Sequence, residues 1–212
     1  MVGCRATRSE REVTTVPLGK ERRQAAARAE IVGACWELAR EHGLSGFTMR
    51  QIAAAVGVQA PSLYTYFESK HAIYDFMFTE GNAAFRDAMR SVPTLEDRRE
   101  QLRVAARAFV DFCLADPVRF QLLFQRMIPG FVPSPQAYAP AVEAFESMRA
   151  AFARIDITRS EDLDLWTALV TGLVSQQLAN DPDGDRWLAL TDAAADMFAA
   201  GLECSRFSRQ TN

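Results

Sequence analysis

Apolar residues recur every three or four positions through most of the chain, a spacing that places them on one face of a helix. No segment shows the strict alternation expected of a strand. Clusters of glycine, proline, asparagine and aspartate separate the helical stretches and predict turns. The pattern therefore predicts an all-α fold of about nine helices. Their expected positions are about 20–42, 48–56, 59–67, 69–91, 95–115, 117–127, 136–154, 160–180 and 185–204.

Residues 48–67 predict two short helices joined by a tight turn. Thr48 and Gln51 have the spacing of a capping box at the start of the first helix. Gly57 ends that helix, because the left-handed conformation costs least without a Cβ atom, and Pro61 suits the first turn of the second helix. This is the pattern of a helix-turn-helix, whose second helix enters a DNA major groove. An αα-hairpin with only a packing role fits the spacing equally well.

A resemblance favours the first interpretation. The motifs that carry it are Gly43, Phe47-Thr48, Ile52-Ala53, Val56-Gly57-Val58, Ser62-Leu63-Tyr64, Tyr66-Phe67 and Ser69-Lys70. Together they make about residues 24–84 resemble the N-terminal DNA-binding domain of the tetracycline-repressor (TetR) family. The chain departs from that family at Gln59 and Ala60, where a small hydroxyl residue and a basic residue are frequent. The resemblance therefore leaves the operator sequence open.

The resemblance implies a homodimer that places its two 59–66 helices in successive major grooves of double-stranded operator DNA, about 34 Å apart. By position, the residues expected to face base edges or thymine methyl groups are Arg50, Ala60, Pro61, Ser62 and Thr65. Those expected to contact phosphates are Thr48, Tyr64, Tyr66 and Lys70. Arg50 is the best candidate for reading guanine, because its guanidinium can donate to two acceptors on that base edge.

We expect five segments along the chain. They are an arm at 1–19, a helix-turn-helix domain at 20–68, a connecting helix at 69–91, a ligand-binding and dimerisation domain at 92–205, and a tail at 206–212. The arm is polar and shows no periodicity, which is typical of a disordered or extended segment.

The charge distribution agrees with this division. The chain of 212 residues has a formal net charge of −3. Residues 1–70 carry ten lysine or arginine residues against seven acidic ones, whereas the remainder carries fourteen against twenty. A basic N-terminal third joined to an acidic remainder suits a protein that presents one face to phosphates.

The C-terminal region is rich in bulky apolar side chains. We expect some of them to line a pocket for a hydrophobic or aromatic effector, gated by the proline-rich loop 129–135. The candidates are Phe109, Phe112, Phe124, Met127, Phe131, Phe145, Met148 and Trp166. A well-filled helical core explains any single one of them as well.

Two apolar stripes near the C-terminus have the spacing of amphipathic helices. Their candidate residues are Leu169, Val170, Leu173, Trp187, Leu190, Ala194, Met197 and Phe198. The resemblance implies that these helices pair with those of a second protomer in a four-helix interface. The alternative is that both stripes belong to the core of one protomer.

Other classes of protein find no support in the sequence. No catalytic motif is recognisable, and the four cysteines and two histidines lack metal-ligand spacing. We expect no enzyme activity, no cofactor, no metal and no membrane segment, and a cytoplasmic location. The prediction is a DNA-binding transcriptional regulator, in the first instance a repressor released by a small ligand. The alternative is a helical ligand-binding or scaffold protein whose helix-turn-helix no longer reads DNA.

Overall fold

The computed structural model describes residues 18–210 of the chain. This part contains nine α-helices, one short 3-10 helix and no strand, so the predicted all-α fold is confirmed. The helices are α1 (Leu18–His42), α2 (Met49–Ala55), α3 (Ala60–Leu63), α4 (Lys70–Arg90), α5 (Arg98–Ala115), α6 (Pro117–Phe124), α7 (Pro135–Ala153), α8 (Ser160–Asn180) and α9 (Thr191–Gln210).

Both predicted terminal segments need correction. Leu18 and Gly19 were assigned to the arm, but they belong to α1. The tail was placed at 206–212, yet α9 continues to Gln210. The rest of the predicted arm, residues 1–17, and the last two residues of the tail lie outside the described residues.

Helices α1 to α3 and the first half of α4 enclose an N-terminal hydrophobic cluster, which we call the head. Ile52, Leu63 and Ile73 are fully buried in it. Gly57 has φ of +69°, as its turn requires, and the N–H of Val58 donates to Ala53 O at 2.9 Å to close α2. Predicted local signals at 48–67 therefore correspond to real turns and caps.

The head does not end where the predicted domain boundary falls. Its cluster also includes Leu122 of α6, Ile128 of the following loop and Ala137 of α7. Helix α4 continues from the head into the C-terminal region, where Phe85 and Met89 pack against a second cluster built from α5 to α9. One helix thus contributes to both hydrophobic cores.

The last helix begins six residues later than predicted, and buried Gln177 of α8 explains the delay. Its side-chain oxygen accepts hydrogen bonds from the backbone N–H groups of Trp187 and Leu188 at 2.9 and 3.0 Å. Its amide nitrogen donates to the carbonyl oxygens of Asp181 and Gly184. These bonds hold the α8–α9 connection in an irregular path, because its backbone groups pair with a side chain rather than with one another.

Helix α9 is fastened to α5 by two bidentate ion pairs. Arg103 donates from Nε and Nη2 to the carboxylate of Asp196 at 2.8 and 2.7 Å. Arg107 contacts Asp192 in the same way, with Nε to Oδ1 at 2.7 Å. Paired donors in this geometry make stronger contacts than single ones. In the described residues, no helix is both long and apolar enough to cross a membrane.

These ion pairs predict a loss of stability in acid. Hydrogen bonds from Arg107 and Arg103 hold the pKa values of Asp192 and Asp196 below the usual value. A carboxylate with a lowered pKa in the folded state stabilises it above the unfolded pKa, and the contribution disappears as the pH falls through the folded pKa. We expect the midpoint temperature of thermal unfolding to fall when the pH is lowered below about 4. In the double variant Asp192→Asn, Asp196→Asn, the same change of pH should lower the midpoint temperature less.

Circular dichroism melts at successive pH values measure this effect. Glu146→Gln is the matched control, because the ion pair between Glu146 and Arg149 lies within α7 and does not join it to another helix. Its pH profile should follow that of the wild-type protein. Superimposable profiles for the wild-type protein and the double variant would contradict the assignment.

Candidate nucleic-acid interface and internal cavity

Six of the predicted DNA contacts are exposed on the helix-turn-helix. They are Thr48, Arg50, Pro61, Ser62, Tyr64 and Thr65. Tyr64 is 54% exposed although it is aromatic. The hydroxyl of Thr65 donates to Ser62 O at 2.7 Å, which fixes the turn after α3. Helix α3 and the side chain of Arg50 are therefore accessible to a large polar partner.

Thr48 and Gln51 form the predicted capping box. The backbone N–H of Thr48 donates to Gln51 Oε1 at 2.9 Å, and the N–H of Gln51 donates to Thr48 Oγ1 at 3.3 Å. The Thr48 hydroxyl also donates to Gln51 Oε1 at 2.8 Å. Thr48 remains exposed, but its hydroxyl is already engaged in starting α2.

The ammonium group of Lys70 is engaged within the protein in this structure. Its ammonium donates to the carbonyl oxygens of Phe47 and Ser45 and sits 4.2 Å from the centre of the Phe47 ring. Burial lowers its pKa from the ordinary value. Lys70 therefore ties the α1–α2 loop to the start of α4, and its contact with a DNA phosphate stays a prediction. Ala60 and Tyr66 are half-buried against the head.

An internal cavity of about 230 Å³ lies in the C-terminal region. It is walled by α4, α5, α6, α7 and α8, and its lining is largely aromatic and aliphatic. Five predicted pocket residues line it, namely Phe109, Phe124, Phe145, Met148 and Trp166. Tyr138 and Phe145 both line the cavity and are 46% and 42% exposed, so the cavity opens to solvent beside α7.

Three predicted pocket residues lie outside this cavity. Phe112 packs behind its wall, with its ring centre 5.2 Å from that of Phe85. Met127 and Phe131 line a separate space of about 90 Å³ on the other side of Phe78 and Tyr138. Aromatic content alone could not distinguish these positions, because it does not give the direction in which each helix face points.

The loop 129–135 does not close the cavity as predicted. Phe131 instead packs against the head, 5.6 Å from the ring of Tyr74 and 6.0 Å from that of His71. Ser134 donates from its N–H and its hydroxyl to the carboxylate of Asp75 at 2.7 and 2.6 Å. The loop therefore connects the C-terminal region to the first turns of α4.

Sequence reasoning missed the contribution of α4 to the cavity. Phe78, Asn82, Phe85 and Met89 line it at spacings of four, three and four residues. Buried Gln101 of α5 also lines it. Asn82 was the available signal for a cavity beside α4. A helical face that packs only against apolar side chains usually carries no polar residue, whereas Asn82 interrupts the apolar face of this helix.

The two stripes proposed for dimerisation divide into two groups. Met197 and Leu190 are 73% and 45% exposed, and Leu169 and Leu173 are half-buried. The other four residues face into the protomer: Val170 lines the cavity, Ala194 is buried, Phe198 packs on Trp166, and Trp187 is half-buried beneath Arg186. The residues of the first group are therefore at least partly accessible to a second protomer, and the interface itself stays a prediction.

A charged contact joins the head to α6. Arg40 of α1 donates from Nη2 to Asp116 Oδ2 at 2.7 Å, and Asp116 also accepts from the N–H of Arg119 at 3.1 Å to begin α6. The Arg119 guanidinium lies 5.7 Å from the Trp36 ring of α1 and 5.6 Å from Phe112. Asp116 is only 6% exposed, so this contact is largely shielded from solvent.

Similarity to known proteins extends over both parts. A family model described as bacterial regulatory proteins, tetR family, matches residues 31–75. The HTH-type transcriptional activator FasR of Mycolicibacterium smegmatis is 30% identical over 154 residues, which are 70% of this chain and 67% of FasR.

Two solved structures have a similar fold. A TetR variant from Acinetobacter baumannii AYE in complex with minocycline is 27% identical, has a TM-score of 0.55 and is matched over 83% of this chain and 96% of its own. The fatty acid degradation regulator FadR from Bacillus halodurans is 17% identical with a TM-score of 0.64, over 81% and 93% of the two chains. The second likeness concerns the fold alone.

An exposed helix-turn-helix is joined to a helical region that has its own cavity. One chain with these two parts has the architecture of a DNA-binding transcriptional regulator. With the relatives above, the chain belongs to the TetR family.

Replacing Arg50 by alanine tests the base-reading prediction. We expect the protein to bind its preferred duplex about 5- to 150-fold more weakly and to discriminate less at one base pair, because a bidentate contact to guanine is lost. The dependence of affinity on salt should change little, since no phosphate contact is removed. Fluorescence anisotropy with a duplex selected from a random pool by the wild-type protein measures both quantities.

Arg149→Ala supplies the control, because Arg149 is exposed on α7 and pairs only within that helix. Its affinity for the duplex should equal that of the wild-type protein. An Arg50 variant with unchanged affinity and unchanged sequence preference would exclude Arg50 from base reading.

Proposed function

We propose that this protein is a homodimeric, sequence-specific transcriptional repressor, acting in the cytoplasm, that leaves its operator when a hydrophobic or aromatic small molecule occupies the 230 Å³ cavity. The observation that carries the proposal is the double role of α4. Its first half forms part of the head through Ile73 and Met77, and its second half lines the cavity through Phe85 and Met89. Ligand occupancy and head position are therefore mechanically connected.

The heads of two protomers would bind successive major grooves about 34 Å apart. Arg50 would read guanine, while Pro61, Ser62 and Thr65 allow close approach of the backbone to base edges. Tyr64 and the exposed basic residues at the start of α1, Lys20, Arg22 and Arg23, would contact phosphates. Phosphate contacts supply affinity and register rather than sequence specificity.

The exposed apolar face of α8 and α9 supports a second protomer as its partner. Leu165 of α8 is 62% exposed and Met197 of α9 is 73% exposed, which is unusual for side chains of this size on neighbouring helices. Leu169 and Leu173 continue the same stripe at helical spacing. Burial of this face against its own copy would remove the apolar surface from water with two-fold symmetry.

Two contacts would carry a change in the cavity to the head. A ligand that displaces Phe109 or Phe124 shifts α5 and α6, and α6 begins at Asp116, which holds Arg40 of the head. Helix α4 would tilt at the same time, because the cavity lies along its second half. A change of a few kcal/mol in the relative stability of two head spacings is sufficient to empty an operator.

One relative favours a second form of regulation. FasR is named a transcriptional activator, and it is 30% identical over 70% of this chain. Activation of transcription from the bound operator is therefore the alternative output, and a reporter gene placed behind the operator distinguishes it from repression. Independently of that output, a ligand can weaken or strengthen DNA binding, because either of the two head spacings can be the one that it favours.

The direct test titrates naphthalene, indole, 2-naphthol and 2-naphthoate into the protein bound to its selected duplex. Calorimetry measures which compounds bind the free protein, and anisotropy measures DNA affinity at saturation. We expect every compound that binds the cavity to weaken DNA binding. Stronger DNA binding would indicate a ligand that favours the DNA-bound head spacing, and unchanged DNA affinity with all bound compounds would contradict ligand control. A protein that binds compounds but no duplex would fit the scaffold alternative.

Asp116→Asn tests the path of the signal. Asparagine can still accept from the N–H of Arg119 at the start of α6, but it lacks the charge that holds Arg40. Because Asp116 does not line the cavity, we expect compound affinity to stay unchanged. The effect of a bound compound on DNA affinity should become several-fold smaller.

Asp97→Asn is the matched control for this variant. Asp97 also caps a helix, since it accepts from the N–H of Glu100 at 2.8 Å at the start of α5, but it makes no contact with the head. Its response to the compound should equal that of the wild-type protein. A full response in Asp116→Asn would show that the Arg40 contact does not transmit the signal.

A further inference from the structure

We propose that the ligand is an uncharged molecule with an aromatic or aliphatic body and one hydrogen-bonding group, such as a hydroxyl or an amide, that is held by Asn82 and Gln101. This inference deepens the proposed function, because it concerns the same cavity. It rests on three observations: the charge of the lining, the hydrogen bonds of the two amides, and the volume.

Among the described residues that line the cavity, Tyr138 is the only one with an ionisable side chain. The nearest cation on α6, Arg119, is not a lining residue; it pairs with Asp116 at 3.4 Å and lies over the rings of Trp36 and Phe112. A carboxylate or an ammonium group moved from water into such a site would lose its hydration without gaining an opposite charge. The cavity therefore selects against ionised ligands.

In the side-chain amides of Asn82 and Gln101, one polar atom makes a hydrogen bond within the protein and the other is available to a ligand. The Nδ2 group of Asn82 donates to the backbone oxygen of Phe78 at 2.9 Å, and because a carbonyl only accepts, Oδ1 is the free end. Gln101 Oε1 accepts from the N–H of Leu95 at 2.6 Å, so its Nε2 group is the free end. Among the described residues, neither Asn82 Oδ1 nor Gln101 Nε2 takes part in another hydrogen bond.

These two free ends supply an acceptor and a donor within an apolar lining. Asn82 and Gln101 are 4% and 2% exposed as whole residues, and both line the cavity. Asn82 Oδ1 and Gln101 Nε2 each keep some accessible surface, so a hydroxyl or carbonyl group of a ligand in the cavity can pair with them. Thr167, another polar lining residue, differs because its hydroxyl already donates to Leu163 O at 2.9 Å.

The volume limits the size of the body. An engineered apolar cavity of about 150 Å³ holds one benzene ring. At about 230 Å³, the present cavity has room for two fused rings, or for an aliphatic group of similar size. A larger molecule would have to extend past Tyr138 and Phe145, where the cavity meets solvent.

A matched probe series tests the inference on the wild-type protein. Naphthalene, 2-naphthol and 2-naphthoate share one ring system, but the first has no polar group, the second is neutral at pH 7 and the third is ionised. We expect calorimetry to show 2-naphthol binding about two- to twelve-fold more tightly than naphthalene, which is the effect of one hydrogen bond. It should bind at least about ten-fold more tightly than 2-naphthoate, which must lose its hydration to enter.

Two variants locate the polar contact. Asn82→Leu and Gln101→Met each remove one amide, and each should reduce the preference for 2-naphthol over naphthalene while naphthalene still binds. Retained naphthalene binding shows that the cavity is intact. Thr167→Val is the matched control and should leave the preference unchanged, because its hydroxyl is engaged within its own helix.

Several results would overturn the inference. They are equal or tighter binding of 2-naphthoate, no preference for 2-naphthol over naphthalene, an unchanged preference in both amide variants, and failure of all three probes to bind. Tighter binding of 2-naphthoate would instead indicate a cation such as Arg126, which lines the neighbouring 90 Å³ space. DNA affinity is measured separately: a bound 2-naphthol that leaves DNA affinity unchanged would contradict ligand control but not this assignment of ligand class.

Discussion

The burial of α4 in two separate hydrophobic clusters is the constraint on which the rest of the structure depends. At 21 residues the helix is about 31 Å long, and it is held at one end by Ile73 and Met77 and at the other by contacts of Phe85 and Met89. Close-packed side chains resist small displacements. Under the proposed function, a shift at the cavity end would therefore move the head as a unit instead of being absorbed within the helix.

The Arg40–Asp116 contact restrains the head at a second position, in addition to α4. Hydrogen bonding to Asp116 raises the pKa of Arg40, and the carboxylate is shielded from water. Separating the pair is costly mainly for Asp116, because its side chain is 7% exposed and the carboxylate would lack both its partner and full hydration, whereas the Arg40 side chain is 39% exposed. The head is thus restrained at α4 by packing and at α1 by charge, and α6 joins the second restraint to the cavity wall.

Local chemistry made the head predictable from the sequence. The Thr48 cap, the turn at Gly57 and the buried Leu63 depend on neighbours within a few residues, and each appears as expected. The cavity was only half predictable, because its walls come from five helices whose relative rotation is set by tertiary packing. Phe112 and Phe124 are twelve residues apart and equally aromatic, yet only Phe124 faces the cavity. Lys70 illustrates the same limit, since its inward turn depends on the carbonyl of Phe47, which only the fold brings near.

The small recognition helix has a consequence for how regulation would work. Helix α3 has four residues, Ala60–Leu63, and none of them is long and polar. A single head therefore has few hydrogen bonds with which to discriminate base pairs. Two heads joined in a dimer discriminate further, because both half-sites must be engaged at one fixed separation and the second contact is then intramolecular. Operator binding by such a dimer would depend strongly on the distance between heads. A modest tilt of α4 would then be enough to release the DNA, although no residue of α3 is among the described residues that line the cavity.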